Sequence, residues 1–113
     1  MKINPDELPP IEWQPGCYAV LLHNTGKLQV KVETMSAGAS EQLHLHENTE
    51  QVFYLLEGTA TFFLEHLTFV LYPGNSISVK ACTKHKIHNP GPHRNKFLVI
   101  SGGPANADRV NCL

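Results

Sequence analysis

Several features that would place this chain in a common functional class are missing from its sequence. Its 9 Lys and Arg oppose 10 Asp and Glu, so the net charge is −1 and no strongly basic surface is expected for nucleic acid or an anionic membrane. The longest apolar runs, such as 18–22 and 97–100, are far too short to span a bilayer. The N-terminal segment lacks the apolar stretch of a secretory signal.

Cysteine pairs and the usual catalytic motifs are also missing. The three cysteines have no CxxC spacing, which favours reduced thiols over a disulfide framework. No Gly-rich phosphate loop, nucleophile elbow or catalytic-triad signature is present. We therefore expect a cytoplasmic protein that binds a small molecule and contacts neither nucleic acid nor membrane.

The sequence does contain the regularly spaced turn residues of a small all-β domain. In 113 residues, 8 Gly and 8 Pro separate short apolar runs, and no stretch keeps a helical period. This pattern predicts a sandwich or a small barrel over residues 16–113. Residues 1–15 are polar and contain four prolines, which predicts an extended N-terminal arm. The tail over 102–109 is expected to be solvated; the alternative is that it packs over the barrel mouth, where Asp108 or Arg109 could reach a ligand.

Alternation of side chains predicts individual strands. Segment 27–34 places Leu28, Val30 and Val32 on one face and charged or polar side chains on the other, as in a half-buried strand. Segments 59–64 and 68–71 are separated by only a few residues, which predicts a hairpin.

Histidine is the one residue type in surplus. His44 and His46 lie two positions apart in a predicted strand, so their side chains point to the same face and can bind one metal ion together. A third histidine, His85, begins a later predicted strand. Such a pair becomes a convincing metal site only if a third ligand approaches it in space.

These residues resemble the first of two cupin motifs, G-x5-H-x-H-x3,4-E-x6-G. The spacing here is matched by Gly38, His44, His46, Gln51 and Gly58. The second motif, G-x5-P-x-G-x2-H-x3-N, is matched in spacing by Gly74, Lys80, Cys82, His85 and Asn89. The resemblance covers about residues 32–101 and implies a small jelly-roll β-barrel, commonly dimeric, with a metal ion held by His44, His46, His85 and a fourth ligand.

The chain departs from the motifs at three positions. Gln51 stands in the register of the acidic ligand, whereas Glu50 fits only the shorter spacing, which leaves seven residues before Gly58. Some similar cupins, including sugar-acid enzymes, use a His/His/Gln/His ligand set. Lys80 and Cys82 replace a proline and a glycine, and the loss of that glycine implies either a different loop backbone or a strained one.

The resemblance implies a metalloenzyme that uses one divalent ion (Zn, Ni, Mn, Fe or Co) as a Lewis acid on an oxygen-rich, sugar-like or carboxylate substrate. The alternatives are an Fe(II)-dependent dioxygenase and a non-catalytic cupin that binds a ligand or acts as a dimeric interaction module. Glu50 is the one candidate for an acid or base within the motif, and Cys82 is a further candidate ligand.

We expect a homodimer whose arm, anchored by Trp13, packs across the partner.

Overall fold

The chain folds almost entirely into β-strands. The computed structural model describes all 113 residues and has a single 3-10 helical turn at Pro5–Glu7. It contains no helix long and apolar enough to cross a membrane. The eleven strands are β1 Ile11–Gln14, β2 Cys17–Asn24, β3 Leu28–Met35, β4 His44–His46, β5 Glu50–Glu57, β6 Ala60–Leu64, β7 Leu67–Leu71, β8 Ser76–Val79, β9 His85–His88, β10 Asn95–Gly102 and β11 Arg109–Asn111.

These strands form two antiparallel sheets that enclose one core. The six-stranded sheet has the order β1-β2-β3-β10-β5-β8, and the five-stranded sheet has the order β11-β4-β9-β6-β7. Aromatic and aliphatic side chains fill the space between them, among them Phe53, Phe62, Phe97, Leu55 and Ile87. The architecture confirms the all-β fold expected from the spacing of short strands and turns, and the small jelly-roll barrel that the cupin resemblance implied.

The predicted hairpin is present. β6 and β7 pair from Ala60↔Leu71 to Leu64↔Leu67, which leaves a two-residue connection. Glu65 in that connection has φ +51°, the left-handed conformation that a tight turn requires.

The prediction for the C-terminal tail is wrong. Residues 109–111 form β11, which pairs with β4 so that Arg109 lies opposite His46 and Asn111 opposite His44. Asp108, just before this strand, is 7% exposed. The tail therefore closes one edge of the five-stranded sheet beside the histidines, with Ala105 and Asp108 buried.

Strand β3 alternates as predicted, but its polar face turns inward. Gln29 and Glu33 are each 5% exposed and border an internal cavity, whereas Leu28 on the aliphatic face is 41% exposed. Val32, on the aliphatic face, is also buried, but it lies on the outer face of the sheet. Alternation identifies two faces, and the surrounding strands decide which one is enclosed.

Part of the predicted N-terminal arm belongs to the sheet. β1 pairs with β2 of the same chain, with Ile11 opposite Ala19 and Glu12 opposite Tyr18. Trp13 packs against the hydrophobic core of its own chain. The extended strand therefore covers one end of the barrel interior.

Candidate metal centre and its cavity

Three imidazoles converge between the two sheets. His44 and His46 project from β4, and His85 lies directly opposite His44 on the paired strand β9. All three are buried, and their ligand nitrogens lie within 4.8 Å of one another. The His44 and His85 ring centroids are 4.3 Å apart. The third histidine that the sequence pattern required is thus beside the first two.

Hydrogen bonds orient every imidazole in the same sense. In each ring Nδ1 donates a hydrogen bond outward. His44 donates to the backbone oxygen of Gln42 at 2.7 Å, and His85 donates to that of Thr83 at 2.8 Å. His46 donates to Asp108 Oδ1 at 2.8 Å. This tautomer leaves each Nε2 with a free lone pair on the inner side. Burial lowers the pKa of His44 to about 3 and that of His85 to about 4, so both rings are neutral at neutral pH.

Gln51, and not Glu50, faces the cluster. Gln51 is 6% exposed, and its Oε1 lies 3.1 Å from His85 Nε2 while its Nε2 donates to Ser101 Oγ at 3.0 Å. Glu50 is the next residue on the same strand, points to the opposite face and is exposed. It lines neither cavity described below, so the side chain named as a possible acid or base lies away from the site.

The donor set suits a divalent transition-metal ion. With Nδ1 of His85 donating to a carbonyl, its Nε2 is an acceptor, and the amide oxygen of Gln51 that faces it is also an acceptor. Two acceptors 3.1 Å apart repel each other unless both bind the same cation, or unless the Gln51 amide rotates so that its NH₂ group faces His85. Three neutral nitrogens and one amide oxygen match the preferences of Zn²⁺, Fe²⁺, Ni²⁺ or Co²⁺.

Asp108 supports the cluster from the side. It accepts hydrogen bonds from His46, from the backbone N–H of Asn48 (2.8 Å) and from Thr49 Oγ1 (2.7 Å). Burial opposes the ionisation of Asp108, but these hydrogen bonds outweigh burial and lower the pKa of its carboxyl group. Such a carboxylate fixes the tautomer and direction of a metal-binding imidazole. It lies 62 residues from His46, so no local sequence signal reveals it.

Phenylalanines form the floor of the cluster. The Phe62 ring lies parallel to the His85 ring within 10°, with centroids 6.0 Å apart. Phe53 meets His85 edge-on at 5.8 Å. These packed rings hold His85 in place and exclude water from its lower side.

Two connected cavities lie above this floor. An inner chamber of about 160 Å³ is bordered by His44, His46, Gln51 and Phe53. An outer vestibule of about 430 Å³ extends from it toward Trp13 and Leu21. Six residues border both cavities, and we call them the neck: Gln29, Lys31, Glu33, Glu41, Asn106 and Arg109.

The neck contains acid and base groups that the motifs did not indicate. Lys31 Nζ pairs with Glu33 Oε1 at 3.2 Å, and Glu41 accepts a hydrogen bond from the Ile87 backbone at 3.1 Å. Burial and then the negative charge of Glu33 raise the pKa of Glu41 to about 7, against the opposing effects of the Ile87 hydrogen bond, Arg109 and Lys31. Only the inward turn of β3 makes Lys31 and Glu33 part of the site.

Other histidines and the remaining candidate ligand, Cys82, lie elsewhere. His23, His66 and His93 are exposed and lie outside the histidine cluster. Cys82 is exposed and is not part of the cluster. Its φ of +64° shows that it keeps the left-handed backbone of the glycine it replaces, which is the strained alternative.

A comparison with protein families identifies the barrel. The model of the cupin domain family matches residues 31–101, which include His44, His46, Gln51 and His85. The chain belongs to the cupin family. This cupin therefore combines the family fold with a three-histidine cluster that is compatible with metal binding.

Individual relatives of this cupin are distant. It is 34% identical over 76 residues to an uncharacterized protein of Methanocaldococcus jannaschii, covering 67% of this chain and 61% of that protein. It is 27% identical over 78 residues to the alginate biosynthesis protein AlgA of Pseudomonas putida, covering 69% of this chain but 16% of AlgA. The structure of a predicted oxalate decarboxylase from Thermotoga maritima matches with a TM-score of 0.82 at 21% identity, covering 89% of this chain and 97% of that one. At this identity the likeness shows the fold alone.

Proposed function

We propose that this cupin is a small-molecule metalloenzyme in which His44, His46, His85 and Gln51 hold one divalent transition-metal ion. The observation that carries the proposal is the common orientation of the three imidazoles, since every Nδ1 is engaged outward and every Nε2 is free inward. The side-chain oxygen of Gln51 faces the same point. When bound, the ion would act as a Lewis acid that polarises a hydroxyl, carbonyl or water oxygen.

The ligand set is electrically neutral, which favours an oxygen-rich, anionic substrate. No carboxylate of the chain is among the four proposed ligands, so the full charge of the ion would be available to the substrate. The inner chamber of about 160 Å³ accommodates a small polar group beside the histidines. Sugar-like and carboxylate molecules meet both conditions.

Glu41 is the residue we assign to proton transfer. Its carboxyl group borders both the inner chamber and the vestibule. With a pKa raised to about 7 by burial and by Glu33, it holds a proton on a carboxyl oxygen in about half of the molecules near neutral pH. It can therefore give a proton to a substrate or take one, which is a role that exposed Glu50 cannot fill.

Elemental analysis of protein purified without added metal or chelator tests this proposal. We expect one transition-metal ion per chain in the wild type, and a Gln51→Glu variant should retain the ion but lose activity, because the added carboxylate offsets part of its charge. Iron as the sole metal would favour the Fe(II)-dependent dioxygenase. A wild-type protein that binds no metal would favour a non-catalytic binding or interaction cupin.

We also propose a homodimer. Tyr18, Leu28 and Tyr54 leave between 38% and 41% of their surface exposed on the outer face of the six-stranded sheet. A partner subunit covering this face would bury that apolar surface. Light scattering should give about twice the chain mass of 12.6 kDa, and a mass near 12.6 kDa at micromolar concentration would contradict the dimer.

A further inference from the structure

The vestibule has two walls of opposite character. One wall consists of Ile11 and Trp13 from β1 with Ala19 and Leu21 from β2. Ile11 and Leu21 are 60% and 38% exposed, so this apolar surface is open to the cavity and to solvent. The other wall is the polar face of β3, which adjoins β2 in the same sheet so that Glu33 lies beside Ala19 and Lys31 beside Leu21. A sugar would hydrogen-bond to the polar wall but leave the apolar wall in contact with water.

The vestibule and the inner chamber adjoin each other at the six neck residues, which border both. A single ligand can therefore reach from the Trp13 side to the His44 side. Its three parts would meet three environments in order: an apolar wall, a charged neck and the histidine cluster.

Arg109 is the neck cation that remains free for an anion. Lys31 is paired with Glu33 at 3.2 Å. The carboxylate nearest in sequence, Asp108, is bound to His46 and Thr49. No carboxylate lies within 4 Å of the Arg109 guanidinium, whose Nε donates to Asn111 at 3.0 Å while its terminal nitrogens make no hydrogen bond. A planar guanidinium with open donors suits a carboxylate.

We propose that vestibule, neck and chamber form one site for 2-hydroxy or 2-oxo carboxylates that carry an apolar side chain. The carboxylate is bound by Arg109, the neighbouring oxygen enters the inner chamber, and the side chain packs between Trp13 and Leu21. This assignment rests on the proposed metal centre, which would bind the oxygen in the chamber, and it narrows the substrate class from oxygen-rich molecules in general to amphiphilic ones.

The two ends of this site can be observed separately. Trp13 is the only tryptophan of the chain, so its emission reports the vestibule. In Co(II)-loaded protein, the visible absorption of the ion reports the chamber. Phenyllactate, lactate and 2-phenylethanol serve as probes, because lactate lacks the apolar group and 2-phenylethanol lacks the carboxylate.

We expect phenyllactate to change both signals with one dissociation constant, and to bind at least about tenfold more tightly than lactate because of the buried ring. Lactate should change the Co(II) spectrum and leave Trp13 emission unchanged. Leu21→Ala should weaken phenyllactate without affecting lactate. Equal affinities for the two acids, or a Co(II) change without a Trp13 change on adding phenyllactate, would overturn the proposal.

A pair of arginine variants tests the anion contact. Arg109→Gln should bind the full complement of Co(II) but weaken phenyllactate by about tenfold or more, because a charge-assisted contact is lost. Arg94→Gln, which removes an exposed arginine that lines neither cavity, is the matched control and should bind like the wild type. Unchanged binding by Arg109→Gln, or 2-phenylethanol binding as tightly as phenyllactate, would refute the assignment. Failure of wild-type protein to bind Co(II) would instead refute the proposed metal centre.

Discussion

Strands β3 and β5 flank β10 in the same sheet, yet they present opposite chemistry to the barrel interior. From β5, Phe53 and Leu55 point inward and are at most 2% exposed. From β3, Lys31 and Glu33 point inward and border the cavities. The contrast is sharpest beside Val99 of β10, which has Phe53 as its partner on one side and Lys31 on the other.

This difference separates stability from function along a single sheet. The β5 wall contacts the aromatic core, so changes there open cavities in a packed interior. The β3 wall borders the cavities, so substitutions there should cause little loss of packing. They should instead weaken the binding of a ligand in the cavities. The predictions below test this division.

The largest expected effect is on stability at β5. Phe53→Ala should reduce the free energy of unfolding by about 3–5 kcal/mol, because it removes a buried ring from the core. Gln29→Ala on β3 should cost less than about 1.5 kcal/mol, since Gln29 makes one long hydrogen bond, to Asn106 at 3.3 Å. Urea denaturation monitored by circular dichroism measures both. Similar losses in the two variants would remove the distinction between the walls.

Metal content should respond to the histidine cluster and to no residue on the outer faces. His85→Ala should weaken metal binding by about 100-fold or more, because it removes one of the four proposed ligands and leaves the others too far apart to compensate. Glu50→Gln, one residue from Gln51 but exposed, is the control and should keep its metal. Stoichiometry after dialysis at a fixed metal concentration measures the difference. A site emptied by Glu50→Gln but not by Gln51→Ala would place the fourth ligand one residue earlier.

Asp108 should matter less than the ligands themselves. Asp108→Asn should lower metal affinity by about 10–100-fold, because the carboxylate that orients His46 becomes a neutral amide. Competition with a chromophoric chelator gives the affinity, and Asp6→Asn, the same change at an exposed aspartate that lines neither cavity, is the control. An Asp108→Asn protein with wild-type affinity would show that β11 closes the sheet without supporting the site.

The last expected effect is a change in the pH dependence of stability at the neck. The pKa of Glu41 is raised from 4.5 to about 7, so the stability it contributes as an acid is present below pH 4.5 and is lost as the pH rises through 7. The unfolding free energy of metal-free wild type should therefore fall relative to that of Glu41→Gln over this interval. Glu33→Gln should reduce the difference, since the Glu33 charge contributes to the shift. Parallel curves for wild type and Glu41→Gln would show that the neck does not perturb Glu41.

The barrel and the proposed metal-binding side chains follow from sequence because each depends on short-range patterns. His44 and His46 share a strand face at any register that keeps the strand, and the spacing to Gly58 selects Gln51 over Glu50. The backbone of the loop before β9 also follows the motif, since Cys82 keeps the left-handed conformation of the glycine it replaces.

The neck and the support from Asp108 do not follow from sequence because they depend on long-range closure. Alternation in β3 defines two faces, but only the pairing with β2 and β10 and the closure of the second sheet decide that Lys31 and Glu33 lie inside. Asp108 reaches His46 across 62 residues through a three-residue strand too short and polar to be predicted. Residues that bind through distant contacts become visible only when the fold is known.

The central claim is that His44, His46, His85 and Gln51 bind a single ion in the inner chamber. A crystal structure of protein loaded with one equivalent of Co(II), with anomalous diffraction recorded at the cobalt edge, tests it most directly. We predict one anomalous peak per chain, about 2.0–2.2 Å from the Nε2 atoms of the three histidines and next to Oε1 of Gln51. A peak at Cys82 or Glu50, or a chamber without a peak, would contradict the account.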